Sequence, residues 1–230
     1  MGSINYSGQE GNLYHQLRHG EIFGNEALIT AWGMYARSTY LREVTSGLKV
    51  LEIGAGTGIN LHSVNKVADV IAVEPAEEAR VHCRKLGIKA IPSIDDLPAD
   101  ARFDYILMRH VLEHIKEPMQ LLVRVRGILA LGGKLVLVLP VESPYKKIDP
   151  NDIDHHLYCW NRQTIGNLLT SLGYGIKETR VNRYNGRRFF LPIFKLFGVG
   201  LYGKLLSLLG TLIPLAEIIV VAEARDETPT

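Results

Sequence analysis

The chain is poor in cysteine, has almost no net charge and contains no long uninterrupted apolar run. Only two cysteines, Cys83 and Cys159, occur in 230 residues, and their separation fits neither a metal motif nor a redox motif. We therefore expect a reduced, cytoplasmic chain. The 26 Lys and Arg residues against 24 Asp and Glu residues leave a net charge of +2, which argues against a surface dedicated to nucleic acid.

The most apolar segment, residues 189–222, is interrupted by two prolines and by Lys195, Lys204 and Glu217. Its longest uncharged stretch is Leu205–Ala216, shorter than the roughly 18 residues that a spanning helix needs. We therefore expect no transmembrane span. No basic region followed by an apolar core opens the chain, so no secretory signal is expected either.

Short apolar runs alternate along the chain with helical patterns. Strands are predicted at Lys49–Ile53, Asp69–Val73, Ile88–Ile91, Phe103–Met108, Lys134–Leu139, Tyr174–Arg183 and Ile218–Glu223. Helices are predicted over residues 25–45, 58–67, 76–86, 118–130 and 162–172. This alternation predicts an α/β fold with a mostly parallel sheet, because parallel strands need helical crossovers.

The length fits a single domain over residues 1–230. We divide it into an N-terminal helical lid or lead-in (1–47), a core (48–188), an apolar helical insertion (189–213) and a last strand (214–225). The first 24 residues are polar and carry Tyr6, Tyr14 and Phe23. They are predicted to be flexible or ordered by a ligand, with their aromatic side chains closing over it.

The most informative local feature is a strand that runs into a glycine-rich turn and then into a helix. Residues 50–58 read Val-Leu-Glu-Ile-Gly-Ala-Gly-Thr-Gly. Glycines permit tight backbone geometry and the close approach of a ligand, and the following helix presents its N–H groups at the strand ends. A dinucleotide fold wants its third glycine at position 59, where this chain has Ile59.

An acid ends the next predicted strand, 20 residues after Gly54. This acid, Glu74, is followed by Pro75. A carboxylate in this position can accept hydrogen bonds from both hydroxyls of a ribose. Because NAD-binding folds share such an acid, Glu74 alone does not choose between the two nucleoside ligands.

Together these motifs resemble the small-molecule group of class I S-adenosylmethionine (SAM) methyltransferases, which includes ubiquinone, menaquinone and sugar methyltransferases. Glu52 with the G-x-G-x-G spacing resembles that group's first motif, and Phe103-Asp104, Leu112-Glu113-His114 and Pro118 resemble its signature after strand four. The resemblance covers roughly residues 48–178 and the last strand. It implies a Rossmann-like, seven-stranded, mostly parallel sheet with helices on both faces and an antiparallel last strand.

The resemblance also implies the residues that bind SAM, whose demethylated product is S-adenosylhomocysteine. Glu52 would organise the site near the ammonium group, Glu74 would hold the ribose, and Ser93 with Ile94 would line the adenine edge. Many relatives have Asp where this chain has Ser93, which favours a main-chain contact there. The implied cofactor-binding set is Glu52, Gly54, Ala55, Gly56, Gly58, Glu74, Pro75, Ser93, Ile94 and Arg109.

Methyl transfer requires the acceptor to be held in line with the methyl group, and often a base that takes the acceptor's proton. The exits of the fourth and fifth predicted strands place Arg109, His110 and the loop Pro140–Trp160 beside the cofactor. The candidate catalytic residues are His110, His155 and His156. His110 either acts as a base or merely lines the cofactor, and His114 is predicted to be structural. No metal site is expected, because adjacent histidines rarely bind one ion together.

Two further features bear on the acceptor. Lys177, Arg180, Arg183, Arg187 and Arg188 form a basic run, which is either a solvated edge or a site for a phosphate or carboxylate. The apolar residues Phe189–Leu212 form buried core, a dimer face, or a surface for a lipid-like acceptor or a membrane edge. A homodimer and peripheral membrane contact are therefore among our expectations, and nucleic acid is not.

The sequence thus predicts a SAM-dependent methyltransferase that acts on a small-molecule acceptor, with oxygen favoured as the methylated atom. An NAD-type oxidoreductase on a similar sheet is the first alternative, and Ile59 with the Leu112-Glu113-His114 stretch counts against it. A non-catalytic SAM-binding protein is the second. An RNA methyltransferase is disfavoured by the near-neutral charge and by the lack of an Asn/Asp-Pro-Pro-Tyr motif after strand four.

Overall fold

A seven-stranded sheet forms the centre of the computed structural model, which describes residues 8–20, 24–143, 145–185, 189–212 and 215–225. The strands are β1 (Lys49–Ile53), β2 (Asp69–Val73), β3 (Lys89–Ile91), β4 (Phe103–Arg109), β5 (Leu129–Pro140), β6 (Tyr174–Arg183) and β7 (Ala216–Ala224). They lie in the order β3-β2-β1-β4-β5-β7-β6. Neighbours from β3 to β5 run parallel, while β7 is antiparallel to both β5 and β6. The predicted Rossmann-like sheet with an antiparallel last strand is confirmed.

Helices cover both faces of this sheet. They are α1 (Gly8–His19), α2 (Glu26–Thr39), α3 (Ile59–His62), α4 (Glu77–Lys85), α5 (Pro118–Ile128), α6 (Arg162–Ser171) and α7 (Leu191–Leu212). Because successive strand residues point to opposite faces, Val50 packs in one apolar core and Leu51 in the other. The first core also contains residues of α2, α4 and α7, and the second contains residues of α5 and α6.

Local sequence signals set where several helices begin. The Asn25 side chain accepts a hydrogen bond from the backbone N–H of Leu28 and so caps α2. Pro118 stands at the first turn of α5, where its missing N–H has no partner to lose. Asn161 and Thr164 cap α6 reciprocally through their side chains.

The predicted N-terminal lead-in contains the helix α1 (Gly8–His19), while Tyr6 and Phe23 lie outside the described residues. Three of the predicted helices were wrong in extent. The helix predicted over residues 25–45 ends at Thr39. The helix predicted over residues 58–67 forms only the single turn α3, because tight turns with hydrogen bonds such as Val64 N–H to Leu61 carbonyl follow it.

The third difference concerns the junction of α5 and β5. The predicted helix 118–130 ends at Ile128, and β5 begins at Leu129 rather than Lys134. Leu129 pairs with Phe103 across an irregularity in the ladder. At this irregularity Gly133 allows β5 to approach β4 closely, since a Cβ at position 133 would lie 2.9 Å from the Phe103 carbonyl oxygen.

The helix α7 is long enough and apolar enough to cross a membrane, judged by length and composition alone. The sequence analysis expects no span here, because charged residues interrupt the apolar segment. At Gly198, however, the backbone adopts φ 72° and ψ −171°, which breaks the helix into two parts. The longer part, residues 199–212, spans about 21 Å at 1.5 Å per residue. A helix that crosses a bilayer needs about 30 Å, so neither part alone has the required length.

Candidate active site

A cavity of about 300 Å³ lies where the carboxyl ends of β1, β2 and β4 meet. Ligands bind at this edge in open α/β sheets, because the strand order reverses there and the loops diverge. The glycine loop forms one wall, the exit of β4 a second, and aromatic side chains of the N-terminal helices a third. The lining residues are Tyr14, Trp32, Tyr35, Tyr40, Ile53, Gly54, Ala55, Gly56, Thr57, Ile59, Asn60, Val73, Glu74, Pro75, Arg109, His110, Val111, His114 and Ile115.

The glycine loop takes a backbone course that side chains would obstruct. Gly54, Gly56 and Gly58 have φ values of 69°, 53° and 78°, in the left-handed region. A Cβ on Gly54 would lie 2.3 Å from a methyl group of Val111. Glycine at these positions therefore lets the loop pack closely on Val111 and still line the cavity with residues 54–57.

The carboxylate of Glu74 joins the glycine loop to the start of α4. Its Oε2 accepts a hydrogen bond from Gly56 N–H at 2.8 Å, and its Oε1 accepts one from Ala76 N–H at 2.9 Å. The residue is 3% exposed and lines the cavity beside Pro75. Carboxylate oxygens in the wall of a cavity are acceptors for ligand hydroxyls.

Glu52 lies beneath the cavity rather than in its wall. Its Oε1 accepts a hydrogen bond from the Asn60 side-chain amide at 2.6 Å, and Asn60 does line the cavity. Its Oε2 has no hydrogen-bond partner among the described residues. Burial raises the pKa of this carboxyl to about 8, although Asn60 and Arg109 oppose the shift.

These residues fit the nucleoside and the amino-acid end of SAM. Gly54 and Gly56 bring the loop backbone to the cavity wall, and Glu74 offers acceptors for ribose hydroxyls. Burial holds the ligand-free carboxyl of Glu52 in its protonated form near neutral pH, because its pKa is raised to about 8. An ammonium group bound near this orphaned oxygen would lower that pKa and favour the carboxylate.

Ser93 and Ile94 are not among the residues that line the cavity. Ser93 instead caps the short turn Ile94–Asp96, accepting a hydrogen bond from Asp95 N–H while its own N–H donates to Asp96. Their predicted contact with adenine therefore stays a prediction.

On the acceptor side, a buried carboxylate on β7 gathers four polar side chains. Glu217 is 0% exposed and accepts hydrogen bonds from Tyr40 and, at 2.7 Å, from Asn182. The Nε2 of His110 lies 3.1 Å from its Oε2, and an Nη of Arg109 lies 3.5 Å from the same atom. Burial opposes ionisation, but Arg109 and His110 outweigh it and lower the pKa of Glu217 to about 2.

His110 stands in the cavity wall with an unusual backbone. Its φ is 53°, a conformation that non-glycine residues seldom adopt. Its N–H donates to the Val138 carbonyl on β5, and its ring reaches Glu217 on β7. Two neighbouring strands therefore hold both the main chain and the side chain of this histidine.

Arg109 also lines the cavity, and its guanidinium contacts other protein groups. Its guanidinium lies 5.2 Å above the Tyr40 ring and 3.5 Å from the Tyr184 hydroxyl, besides its pairing with Glu217. The predicted cofactor role of Arg109 stays a prediction.

The other two candidate catalytic histidines lie outside the cavity lining. His155 has φ 47°, and its N–H donates to the Asp152 carboxylate. His156 hydrogen-bonds to Glu142 through Nδ1 and approaches Glu113 and His114 through its other face. Neither of them lines the cavity with His110, and a catalytic role for them remains only a prediction.

The basic run is spread over surface contacts rather than gathered at the cavity. Lys177 pairs with Glu223 at 2.9 Å, and Arg180 pairs with Glu178 at 2.9 Å. Arg183 is exposed, and Arg187 and Arg188 lie outside the described residues. The described part of the run favours the solvated edge among the two predicted alternatives.

Sequence reasoning missed Glu217, Tyr40 and Asn182. A signal for Glu217 was present, since one acid stands in an otherwise apolar strand and buried acids are normally paired. Its partners lie on or directly after α2, β4 and β6, which are remote in sequence, so only the fold reveals them.

Comparisons with known proteins agree with this geometry. A family model described as a methyltransferase domain matches residues 34–179. A ubiquinone biosynthesis O-methyltransferase of Roseobacter denitrificans is 31% identical over 110 residues, which cover 44% of each chain. A mitochondrial one from Candida albicans is 33% identical over 105 residues, 40% of this chain and 32% of that one. The chain thus matches less than half the length of these relatives.

Among solved structures, the 1,6-didemethyltoxoflavin-N1-methyltransferase of Burkholderia thailandensis has a similar fold. It superposes with a TM-score of 0.59 and 16% identity, covering 94% of this chain and 85% of the other. At that identity the likeness concerns the fold.

Proposed function

Since the chain belongs to the methyltransferase-domain family, we propose that it is a SAM-dependent methyltransferase acting on a small molecule. The observation that carries the proposal is the cradle at residues 54–58, held by the buried carboxylate of Glu74. A dinucleotide-binding oxidoreductase would instead have a glycine at position 59 for close helix–strand packing, where this chain has the buried Ile59.

In this proposal the chain's own residues divide the binding between them. Glu74 accepts the ribose hydroxyls, the backbone of Gly54 and Gly56 packs against the ligand, and Glu52 balances the charge of the ammonium group. When bound, SAM supplies a methyl group activated by a sulfonium. The protein then has to hold the acceptor in line and keep water out.

His110 is the proposed base. The Glu217 carboxylate favours the tautomer with the proton on Nε2, which places the basic lone pair of the ring on Nδ1. A buried carboxylate behind the ring also stabilises the imidazolium that forms when His110 takes the acceptor's proton. A base of this kind suits a hydroxyl acceptor, which is why we favour methylation of oxygen.

The acceptor itself is proposed to be a partly aromatic or apolar small molecule. Trp32, Tyr35 and Tyr40 supply flat apolar walls of the cavity, and the Tyr40 ring lies 5.2 Å from the Arg109 guanidinium. Such walls favour a ring-containing acceptor, while the buried Arg109 favours one that carries a negative charge. The two free cysteines favour a reducing compartment, and we propose the cytoplasm.

Calorimetric titration of SAM and of S-adenosylhomocysteine tests this proposal. We expect micromolar binding by the wild type and at least about tenfold weaker binding by Glu74→Ala, because a buried acceptor of ribose hydroxyls is lost. Glu77→Ala, which removes an exposed carboxylate three residues away, serves as the matched control and should bind as the wild type does. Absence of binding in the folded wild type would contradict the proposal.

We further propose that α7 rests on an anionic membrane surface. Leu196, Phe197, Leu208 and Leu212 are each more than 60% exposed on this helix. Lys195 and Lys204 lie on the same helix and are exposed, and apolar side chains beside cations favour anionic lipid headgroups. Flotation with anionic vesicles should be lost in Leu196→Lys/Leu208→Lys. Concentration-dependent dimerisation without flotation would favour a dimer face instead.

A further inference from the structure

Three ligand-type atoms converge beside the end of β4, away from the glycine loop. Glu113, His114 and His156 each turn one such atom toward the others, and these atoms lie within 4.8 Å of one another. A carboxylate oxygen of Glu113 is 3.9 Å from Nε2 of His114 and 4.0 Å from Nε2 of His156. Imidazole nitrogen and carboxylate oxygen are both ligands of zinc.

Glu113 carries a buried carboxyl group for which the described residues supply no hydrogen-bond donor. Its side chain is 0% exposed, and neither carboxylate oxygen has a hydrogen-bond partner among the described residues. Buried carboxylates are normally hydrogen-bonded, paired with a cation or bound to a metal ion. Both oxygens are unpaired among the described residues, and one of them lies within 4.0 Å of an Nε2 atom of each imidazole, which points to a cation-binding site.

Both histidines have the outer hydrogen bonds that metal-binding histidines usually have. His156 bonds to the Glu142 carboxylate through Nδ1, which leaves Nε2 directed at Glu113. The His114 ring hydrogen-bonds to the main-chain carbonyl of Asp154. Such partners fix the ring orientation and increase the basicity of the nitrogen that binds the metal.

We propose that Glu113, His114 and His156 bind one divalent transition-metal ion, best represented by Zn²⁺. Ligand atoms of a tetrahedral zinc site are about 3.4 Å apart, since each lies about 2.1 Å from the ion. The three side chains must therefore draw together by roughly 1 Å. Two imidazoles and one carboxylate leave a fourth position for water or another oxygen ligand.

The ion joins two segments that are distant in sequence. Glu113 and His114 follow β4, while His156 belongs to the loop between β5 and α6. The sequence alone predicts no metal site, because it presents His155 and His156 as a pair. In the fold, His156 instead lies beside Glu113 and His114 of another segment. The site therefore does not require two adjacent histidines to bind one ion. His114 also lines the large cavity, so the ion lies at its border.

Zinc binding to the untagged, chelator-treated full chain tests this site. Calorimetry with Zn²⁺ alone should give one ion per chain, and Co²⁺ should give a visible absorption band from the same site. We expect His156→Ala and Glu113→Gln to weaken Zn²⁺ binding by about a hundredfold or more. Glu142→Gln, which changes only the partner of His156, should weaken it by about tenfold.

His155→Asn is the matched control, because asparagine tolerates the positive φ of that residue and His155 lies outside the cluster. It should bind Zn²⁺ as the wild type does. Should Glu113→Gln fail to fold, His156→Ala carries the test, since that ring is at the edge of the cluster with 13% exposure. No binding by the wild type, or unchanged binding by His156→Ala, overturns the proposal.

Discussion

The Nε2 of His110 lies 3.1 Å from Oε2 of Glu217, a carboxylate with no exposed surface. The two residues are 107 positions apart in the chain. β4 and β7 bring them together on either side of β5, because the order of the strands places β5 between the other two. This pairing connects the cavity wall to the antiparallel strand that completes the sheet.

Replacing Glu217 with Gln should destabilise the protein in a pH-dependent way. The pKa of Glu217 is lowered to about 2, so its ionised form stabilises the fold above its ordinary pKa of about 4.5. This contribution is lost as the pH falls from about 4.5 towards 2. We expect Glu217→Gln to cost ~3 kcal/mol at pH 7, since a buried pair is broken, and less at pH 3.

Urea unfolding of both proteins between pH 7 and pH 3 measures that difference. Glu223→Gln is the control on the same strand, because Glu223 pairs with Lys177 at a partly exposed position and should cost less than about 1 kcal/mol. A constant difference between Glu217→Gln and the wild type at all pH values would show that Glu217 has the same pKa in the folded and the unfolded protein, which contradicts its stabilisation by Arg109 and His110.

Glu52 should have the opposite pH dependence. Burial raises its pKa to about 8, so between pH 4.5 and 8 the folded protein retains a proton that the unfolded chain has released. The wild type therefore loses stability as the pH rises through this range. We expect the free energy of unfolding of Glu52→Gln, relative to that of the wild type, to rise by on the order of 2–4 kcal/mol from pH 5 to pH 8.

Chemical denaturation of the ligand-free proteins at several pH values provides this comparison. The pKa of Glu113 is also raised to about 8, but that group is present in both proteins and cancels from the difference. Stability curves that run parallel from pH 5 to pH 8 would mean that Glu52 is already ionised in the fold.

How much the sequence predicts depends on whether the signal is local. The strand that leads into Gly54 and the acid at Glu74 are local patterns, and both lie at the predicted edge of the sheet. The Glu217 cluster joins side chains from four elements, and no spacing along the chain encodes which of them meet. For the same reason, the contact between Glu113 and His156 could not be predicted from the sequence.

The two cysteines should react very differently with an alkylating reagent. Cys83 is buried, and burial raises the pKa of its thiol to about 12, so almost no thiolate forms at pH 8. Cys159 is exposed, although its hydrogen bond to Glu142 also raises its pKa. We expect iodoacetamide to modify Cys159 in the folded protein and Cys83 only after unfolding, as followed by mass spectrometry. Equal rates for both thiols would contradict the buried position of Cys83.

Gly54→Ala should destabilise the fold by more than the conformational cost of placing an alanine at the φ of Gly54. Its φ is 69°, which costs an alanine about 1 kcal/mol, and its Cβ would also lie 2.3 Å from the Val111 side chain. Gly132 has a φ of 70° with nothing within 4 Å of its Cβ position, so Gly132→Ala measures the conformational cost by itself. We expect a loss of about 1 kcal/mol for Gly132→Ala and ~3 kcal/mol for Gly54→Ala.

A double-mutant cycle with Val111→Ala separates the steric part of that loss. Because Val111→Ala removes the methyl group that the new Cβ would strike, Gly54→Ala should cost about 1–2 kcal/mol less in that background. Urea unfolding of the four proteins gives the coupling energy. Additive losses would mean that the glycine loop moves away from Val111 when a side chain is added, and that the close approach at Gly54 does not fix the shape of the cavity.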